Sequence, residues 1–300
     1  MIFRLLFSIL LLSLFTSAHS QPLVGSDWLA KHLADKKLVI LDLQEEAGYR
    51  QHHIPGAIHT DYAKWRQEIN GIPKVLPPLM KLTQLIGQLG IDNTRHVVLV
   101  PFGQNAGDMA RAARVYWTLK ALGHAKVSIL DGGLIAYASQ RIYPLERGYN
   151  KPLQKQFVAN FNPDFVPDAA AVLNSLKNGA IAVDNRSRAE FLGIYRGADN
   201  ERPGSLPNSK HLAYDWLTAN GGGKIQNLEN IRKLFAAAEI AEDSPQIHYC
   251  HTGHRASLGW FVAHELLGNK KAKLYDASTV EWAVDPNLPL EQYIDIQFDL

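Results

Sequence analysis

The sequence predicts an α/β protein built as two tandem domains, each a parallel sheet with helices on both faces. Three observations carry that reading. First, apolar strands of four or five residues alternate with helical patterns: "LVILDL" (38–43), a helix near 78–89, "HVVLV" (96–100), a helix near 107–122 and "KVSIL" (126–130). This alternation implies parallel strands joined by crossover helices. Second, the chain repeats itself. "LVILDLQEEAGYRQHHIPGAIHTDYAKW" (38–65) is answered by "AIAVDNRSRAEFLGIYRGADNERPGSLPNSKHLAYDWL" (180–217), and "PLE" recurs at 144–146 and 289–291. A spacing of about 145 residues is too long for a solenoid unit and suits a duplicated domain. Third, "RGYNKPLQKQFVANFNP" (147–163) lacks any period and reads as a linker.

Taken in order, the elements begin with a leader. Arg4 supplies a positive start, "LLFSILLLSLF" (5–15) an apolar core, and "SAHS" places Ala18 and Ser20 at the small-residue positions of a cleavage site before Gln21. The apolar run is short for a spanning helix, so residues 1–20 are expected to be a cleaved signal peptide, with no stable membrane insertion afterwards. An exported protein follows, most simply periplasmic. The expected domains are residues 21–147 and 165–300, joined by the linker 148–164.

Within each domain the first strand ends at an aspartate, Asp42 or Asp184, and leads to a Pro-containing turn and a histidine, "IPGAIH" (54–59) or "LPNSKH" (206–211). The later halves also correspond. "HVVLVPFGQNAGDMARAARVYWTLKALGHAKVSILDGG" (96–133) parallels "QIHYCHTGHRASLGWFVAHELLGNKKAKLYDAS" (246–278): strand, Gly-containing loop, helix, strand, then "DGG" or "DAS". His53 and His59 read as structural, and Trp117, Trp260 and Trp282 as core.

Composition bounds the function. Of 300 residues 46% are hydrophobic and 20% charged, enough to bury a proper core. Lys and Arg number 31 against 29 Asp and Glu, with no long basic run, so nothing points to nucleic acid. Cys250 is the only cysteine, so no internal disulfide forms. A lone thiol in an oxidising compartment favours chemistry over packing, although a buried structural cysteine also survives there.

"HYCHTGHRAS" (248–257) surrounds that cysteine. Cys250 falls at the carboxyl end of a strand, with "HTGH" wrapping into a helix start, the edge where open parallel sheets bind ligands. Loop amides, the helix dipole and Arg255 there lower a thiol's pKa and cradle an anion. Sulfur transfer and phosphoester hydrolysis both use such a thiolate. The spacing Cys-x4-Arg, with Ala256 one position later, is small for a tetrahedral phosphate and better suits a terminal sulfur atom. His248, Cys250, His251 and His254 are spaced too tightly for a tetrahedral metal shell from one strand and loop. No metal and no cofactor is therefore expected, and His248 reads as a core histidine.

Together with "VDNRSRAEFLG" (183–193), "RPGSLPNSKH" (202–211), "ILDGG" (129–133) and "YDASTVEW" (275–282), this loop resembles the two-domain rhodanese-type sulfurtransferases, over almost all of residues 22–292. The resemblance implies an inactive first domain, in keeping with the cysteine-free "PFGQNAGDM" (101–109). It implies a catalytic second domain in which Cys250 takes a sulfane sulfur from thiosulfate or 3-mercaptopyruvate and passes it to cyanide or a thiol. The backbone of His251, Thr252, Gly253, His254 and Arg255 would hold the persulfide. A persulfide carrier serving a protein acceptor shares the same loop.

The chain departs from the family at several places. His251 and His254 replace the residues that separate the two donor classes. They are read either as solvent-facing or as imidazoles titrating near neutrality that aid thiolate formation. The family's donor-binding arginine is Glu190 here. A carboxylate facing the anion site is expected to repel thiosulfate more than 3-mercaptopyruvate, with Arg186, Arg196 or Arg202 offsetting part of it. Arg186 reads equally as a partner of Asp184.

Overall fold

The computed structural model describes residues 20–198 and 201–297. All of the expected leader except Ser20 therefore lies outside the described residues.

The first domain contains strands β1 (Leu23–Val24), β2 (Leu38–Asp42), β3 (Ile58–His59), the hairpin β4 (Gln67–Ile69) and β5 (Ile72–Val75), β6 (His96–Val100) and β7 (Val127–Leu130). Its helices are α1 (Ser26–His32), α2 (Glu46–Gln51), α3 (Leu79–Gln88), α4 (Ala106–Ala121) and α5 (Gly133–Ser139). The second domain has β8 (Ile181–Asp184), β9 (Lys210–His211), β10 (Gln246–Tyr249) and β11 (Ala272–Leu274), with α6 (Ala169–Lys177), α7 (Arg188–Leu192), α8 (Leu228–Ala237), α9 (His254–Trp260) and α10 (Ser278–Trp282).

Both main sheets are parallel, in the orders β1-β7-β6-β2-β3 and β11-β10-β8-β9, while β4 and β5 pair antiparallel. Central strands covered on both faces carry almost uninterrupted apolar residues, which is why "HVVLV" and "IAVD" hardly alternate. Register sets the site: Asp42 pairs with Val100 and Asp184 with Tyr249. Pro101 and Cys250 therefore leave their sheets at equivalent places, just past the carboxyl edge.

The helix expected near 107–122 is buried nearly all round, with twelve of its sixteen residues inside. The second domain covers its outer face. Tyr116 of α4 meets Phe261 edge-on at 5.0 Å and donates a hydrogen bond to Glu265 at 2.9 Å. One apolar cluster runs from Trp65 and Trp117 through this contact to Trp260 and Phe261. The helix that follows the Cys250 loop is α-helical over His254–Trp260 and opens into π-helical turns over Phe261–Leu266. The segment read as a linker has little regular structure, yet it lies along the first domain, where the Lys155 amide bonds the Gly87 carbonyl at 2.9 Å and the Asn160 amide that of Leu122 at 2.9 Å.

Candidate active site

Cys250 is buried, 1% exposed, directly after β10. Its loop is anchored by its carbonyl side. The Cys250 carbonyl accepts from the Thr279 amide at 3.2 Å and the His251 carbonyl from the Val280 amide at 3.0 Å. Ser278 holds the rest: its hydroxyl accepts from the amides of Cys250 and Gly253 at 3.1 and 3.2 Å and donates to the Tyr275 carbonyl at 2.7 Å. Ser278 achieves this in a left-handed conformation, φ +54°, at a cost of order 1–3 kcal/mol for a non-glycine residue. Gly253 turns the loop into α9 at φ +69°, where a Cβ would press on the Asp276 carbonyl. Only glycine fits there.

With its carbonyls engaged, the loop keeps most of its amides free of protein partners. Among the described residues, the amides of His251, Thr252, His254 and Arg255 donate to no protein acceptor. Successive unengaged N–H groups at the start of a helix favour negative charge beside them.

The side chains of the loop diverge. Arg255 makes a two-pronged ion pair with Glu190, at 2.6 and 2.8 Å. Burial alone raises the Glu190 pKa, but the hydrogen bonds and charge of Arg255 outweigh it and hold the carboxyl at about 2. Glu190 also completes a capping box with Ser187 at the start of α7. It is thus the counter-ion of Arg255 and not a bare charge facing a donor, which removes the ground for the expected repulsion of thiosulfate.

His254 points into the first domain and shares a 2.7 Å hydrogen bond with the Tyr62 hydroxyl. Burial, reinforced by Arg66, Arg111, Arg114 and Arg255, lowers its pKa to about 3. It stays neutral at ordinary pH, so the expectation that it titrates near neutrality does not hold. His251 turns the other way, its Nε2 2.8 Å from the nearly inaccessible Glu201 carboxylate. Gly197 makes room for this pair, since a Cβ there would overlap the His251 ring. Arg196, beside it, is half-buried in the segment after α7.

Arg186 is engaged within its own domain. Its guanidinium is buried against Asp184, at 2.6–3.0 Å, and the Gly204 carbonyl at 2.8 Å. Arg202 is likewise occupied, bonding the carbonyls of Trp282, Ala283, Asp285 and Leu288. His248 is fully buried, its ring nitrogens each 3.1 Å from the side-chain amides of Asn185 and Gln246. The three histidines around Cys250 thus face three different directions. Among the described residues no group of three or more His, Cys, Asp or Glu is arranged to hold a metal ion.

Sequence reasoning missed the contribution of the first domain. Arg66, just before β4, donates to the Thr252 carbonyl at 2.6 Å and to its hydroxyl at 2.9 Å. Arg114 pairs with Asp276 in the buried interface, and Asp276 also accepts the Leu76 amide at 2.7 Å. The duplication held a signal for this: Asp131, the counterpart of Asp276, accepts the Ile225 amide at 2.8 Å from the opposite domain.

A duplicated α/β protein whose two halves meet beside the loop of its one thiol is what this arrangement describes. The model of the rhodanese-like domain matches residues 26–140 and again 168–285. The chain belongs to the rhodanese family and is an enzyme of its sulfurtransferase class. It is 29% identical over 283 residues to 3-mercaptopyruvate sulfurtransferase of Escherichia coli strain K12, covering 89% of this chain and 97% of that protein. It is 31% identical over 287 residues to a protein of Mycolicibacterium smegmatis provisionally named thiosulfate sulfurtransferase, covering 91% and 99%. The crystal structure of SseA from Escherichia coli, described as showing the rhodanese fold of 3-mercaptopyruvate sulfotransferases, superposes with a TM-score of 0.75 at 27% identity, over 86% of this chain and 99% of that one.

Proposed function

We propose that Cys250 carries a sulfane sulfur, as a persulfide, from a small anionic donor to a thiophilic acceptor. The observation that carries this reading is the set of four unengaged amides, His251, Thr252, His254 and Arg255, on the loop of the only thiol.

In the first step the Cys250 thiolate attacks the terminal sulfur of the donor. The new S–S bond forms as the old bond to that sulfur breaks. Sulfite leaves from thiosulfate; from 3-mercaptopyruvate the pyruvate enolate leaves and takes up a proton. In the second step cyanide attacks the outer sulfur, thiocyanate departs, and the thiolate is regenerated; a thiol acceptor leaves as its own persulfide. After the first step negative charge rests on the outer sulfur of the persulfide, and in the second it returns to the Cys250 sulfur as thiocyanate leaves; fixed amides stabilise both without reorganising.

Steady-state rates with thiosulfate and with 3-mercaptopyruvate, cyanide being the acceptor, test the reading and identify the donor. Turnover with either supports it. Loading of Cys250 only from a partner protein would favour the carrier alternative, and a relative from Thermus thermophilus, 29% identical over 290 residues, is named a sulfur carrier protein. Export rests on the leader alone. Intact mass starting at Gln21 supports it, and retention of Met1 on a cytoplasmic protein removes it.

A further inference from the structure

We propose that Arg66, lent by the thiol-free first domain, is the cation that receives the oxyanion group of the sulfur donor. This rests on the sulfur-transfer reading above and names the contact that the second domain lacks.

Charge matching around the loop leads to Arg66. Five arginines stand close to it, and four are matched. Arg111 lies 2.9 Å from Glu45, Arg114 against Asp276, Arg186 2.6 Å from Asp184 and Arg255 2.6 Å from Glu190. Arg66 alone of the five has no carboxylate within ion-pair distance among the described residues. Its bonds go to neutral oxygens: Nη2 to the carbonyl and hydroxyl of Thr252, Nε to the Lys74 carbonyl at 3.1 Å. Nη1 makes none of them.

The position is equally specific. Thr252 is two residues from Cys250, and its amide is one of the four in the loop that donate to no protein acceptor. Arg66 therefore reaches the rim of the anion site while half-buried, with the Tyr62 ring 5.5 Å from its guanidinium carbon. A partly desolvated guanidinium without a counter-ion favours an oxyanion ligand, and its planar fork matches a carboxylate or a sulfonate-like group. A donor with its sulfur at Cys250 and its oxyanion at Arg66 bridges the two domains. The duplication then has a use: one copy keeps the nucleophile, and the other supplies the charge.

The competing role is a strap that merely holds the Thr252 carbonyl. R66Q separates the two, because glutamine still donates a hydrogen bond but carries no charge. Persulfide formation is followed against thiosulfate and against 3-mercaptopyruvate. Discharge of loaded enzyme is followed with dithiothreitol, an uncharged acceptor. In R66Q the donor concentration for half-saturation rises roughly tenfold or more, the loss expected for a hydrogen-bonded charge, while discharge stays within about twofold. R66K restores most of the affinity, and the salt dependence of donor binding seen in wild type fades in R66Q. A larger effect with one donor identifies which oxyanion the arginine prefers. Unchanged half-saturation in R66Q, or equal slowing of loading and discharge, overturns the proposal. Should R66Q fail to fold, an R66K enzyme whose half-saturation loses its salt dependence does the same. Wild-type enzyme that loads from neither donor overturns instead the reading on which it rests.

Discussion

Two loops leave the two sheets at the same level, Pro101–Asn105 in the first domain and Cys250–Gly253 in the second, and they are tied down alike. The Pro101 and Phe102 carbonyls accept from the Leu134 and Ile135 amides at 2.9 and 3.0 Å, as those of Cys250 and His251 accept from Thr279 and Val280. The loops differ in what their amides do. In the first, the Gln104 amide donates to the Asp108 carboxylate at 2.9 Å and the Asp108 amide to Asn105 at 3.1 Å. That loop carries its own anion. In the second the Gly253 amide goes to Ser278, those of His251, Thr252, His254 and Arg255 are unengaged, and the first residue is a thiol. The duplicated scaffold thus supports both a closed and an open anion site, and the side chains decide which.

The sharpest way to break this comparison is Cys250→Ser. Thiocyanate formation should fall by roughly a thousandfold or more, as removal of a nucleophile does, while the melting temperature hardly moves. Restoring a thiol at the equivalent place, Pro101→Cys in the Cys250→Ser background, should recover nothing, because the Asp108 carboxylate already occupies that loop. Measurable turnover from the transplanted thiol would show that a thiol at the sheet edge suffices without open amides.

Ser278 tests whether the loop must be held. Its counterpart is Gly133, at φ +59° beside Ser278 at +54°. Ser278→Ala strips the acceptor from two loop amides and keeps the backbone strain. Activity should fall about tenfold, with a stability loss of 1–3 kcal/mol typical of an unsatisfied buried group. Ser278→Gly should lose similar activity but less stability, since the strain is relieved. Equal stability in the two variants would remove the strain argument.

Glu190→Gln leaves Arg255 without its counter-ion. The thiosulfate KM should drop about threefold at low salt and return toward wild type at high salt. No change at any ionic strength would mean that the Arg255–Glu190 pair does not reach the donor.

The mildest effect concerns the two strand-end aspartates. Asp184 is charge-paired with Arg186, whereas the position after Asp42 corresponding to Arg186 is the neutral Gln44, which donates to Asp42 at 2.9 Å. Burial, only partly opposed by these hydrogen bonds, raises the Asp42 pKa from 3.8 to about 6. A raised carboxyl pKa means that the folded state holds the proton more tightly. Ionisation of Asp42 therefore costs stability as pH rises from about 4 through 6. Asp42→Asn should be more stable than wild type at pH 7 by roughly 1 kcal/mol, the advantage vanishing near pH 4, with activity unchanged. Urea titrations at the two pH values check the sign.

Much of this was legible in the sequence, because strand periodicity and the duplication are local patterns. "LVILDL", "HVVLV" and "IHY" are strands where expected, and Cys250 sits at the sheet edge that its position after "IHY" required. The roles of long polar side chains were not legible. Arg186 read equally as a donor contact and as a partner of Asp184, and is spent on Asp184; Arg202 read as a possible donor contact, and is spent on backbone carbonyls of residues 282–288. Glu190 looked like a stray charge until its distance to Arg255 was known. Their partners lie 2, 80–86 and 65 residues away in sequence, and nothing in the pattern of residue types selects among them. Arg66 was invisible for the same reason. Its partner, Thr252, is 186 residues distant in the other domain.

The central claim, that the open loop of the second domain holds the transferred sulfur on Cys250, is tested most directly by peptide mass analysis of enzyme quenched after mixing with donor and no acceptor. The account predicts the mass of one extra sulfur atom on the peptide containing Cys250, lost again when cyanide is added. Thiocyanate formed at full rate while that peptide remains unmodified would contradict it.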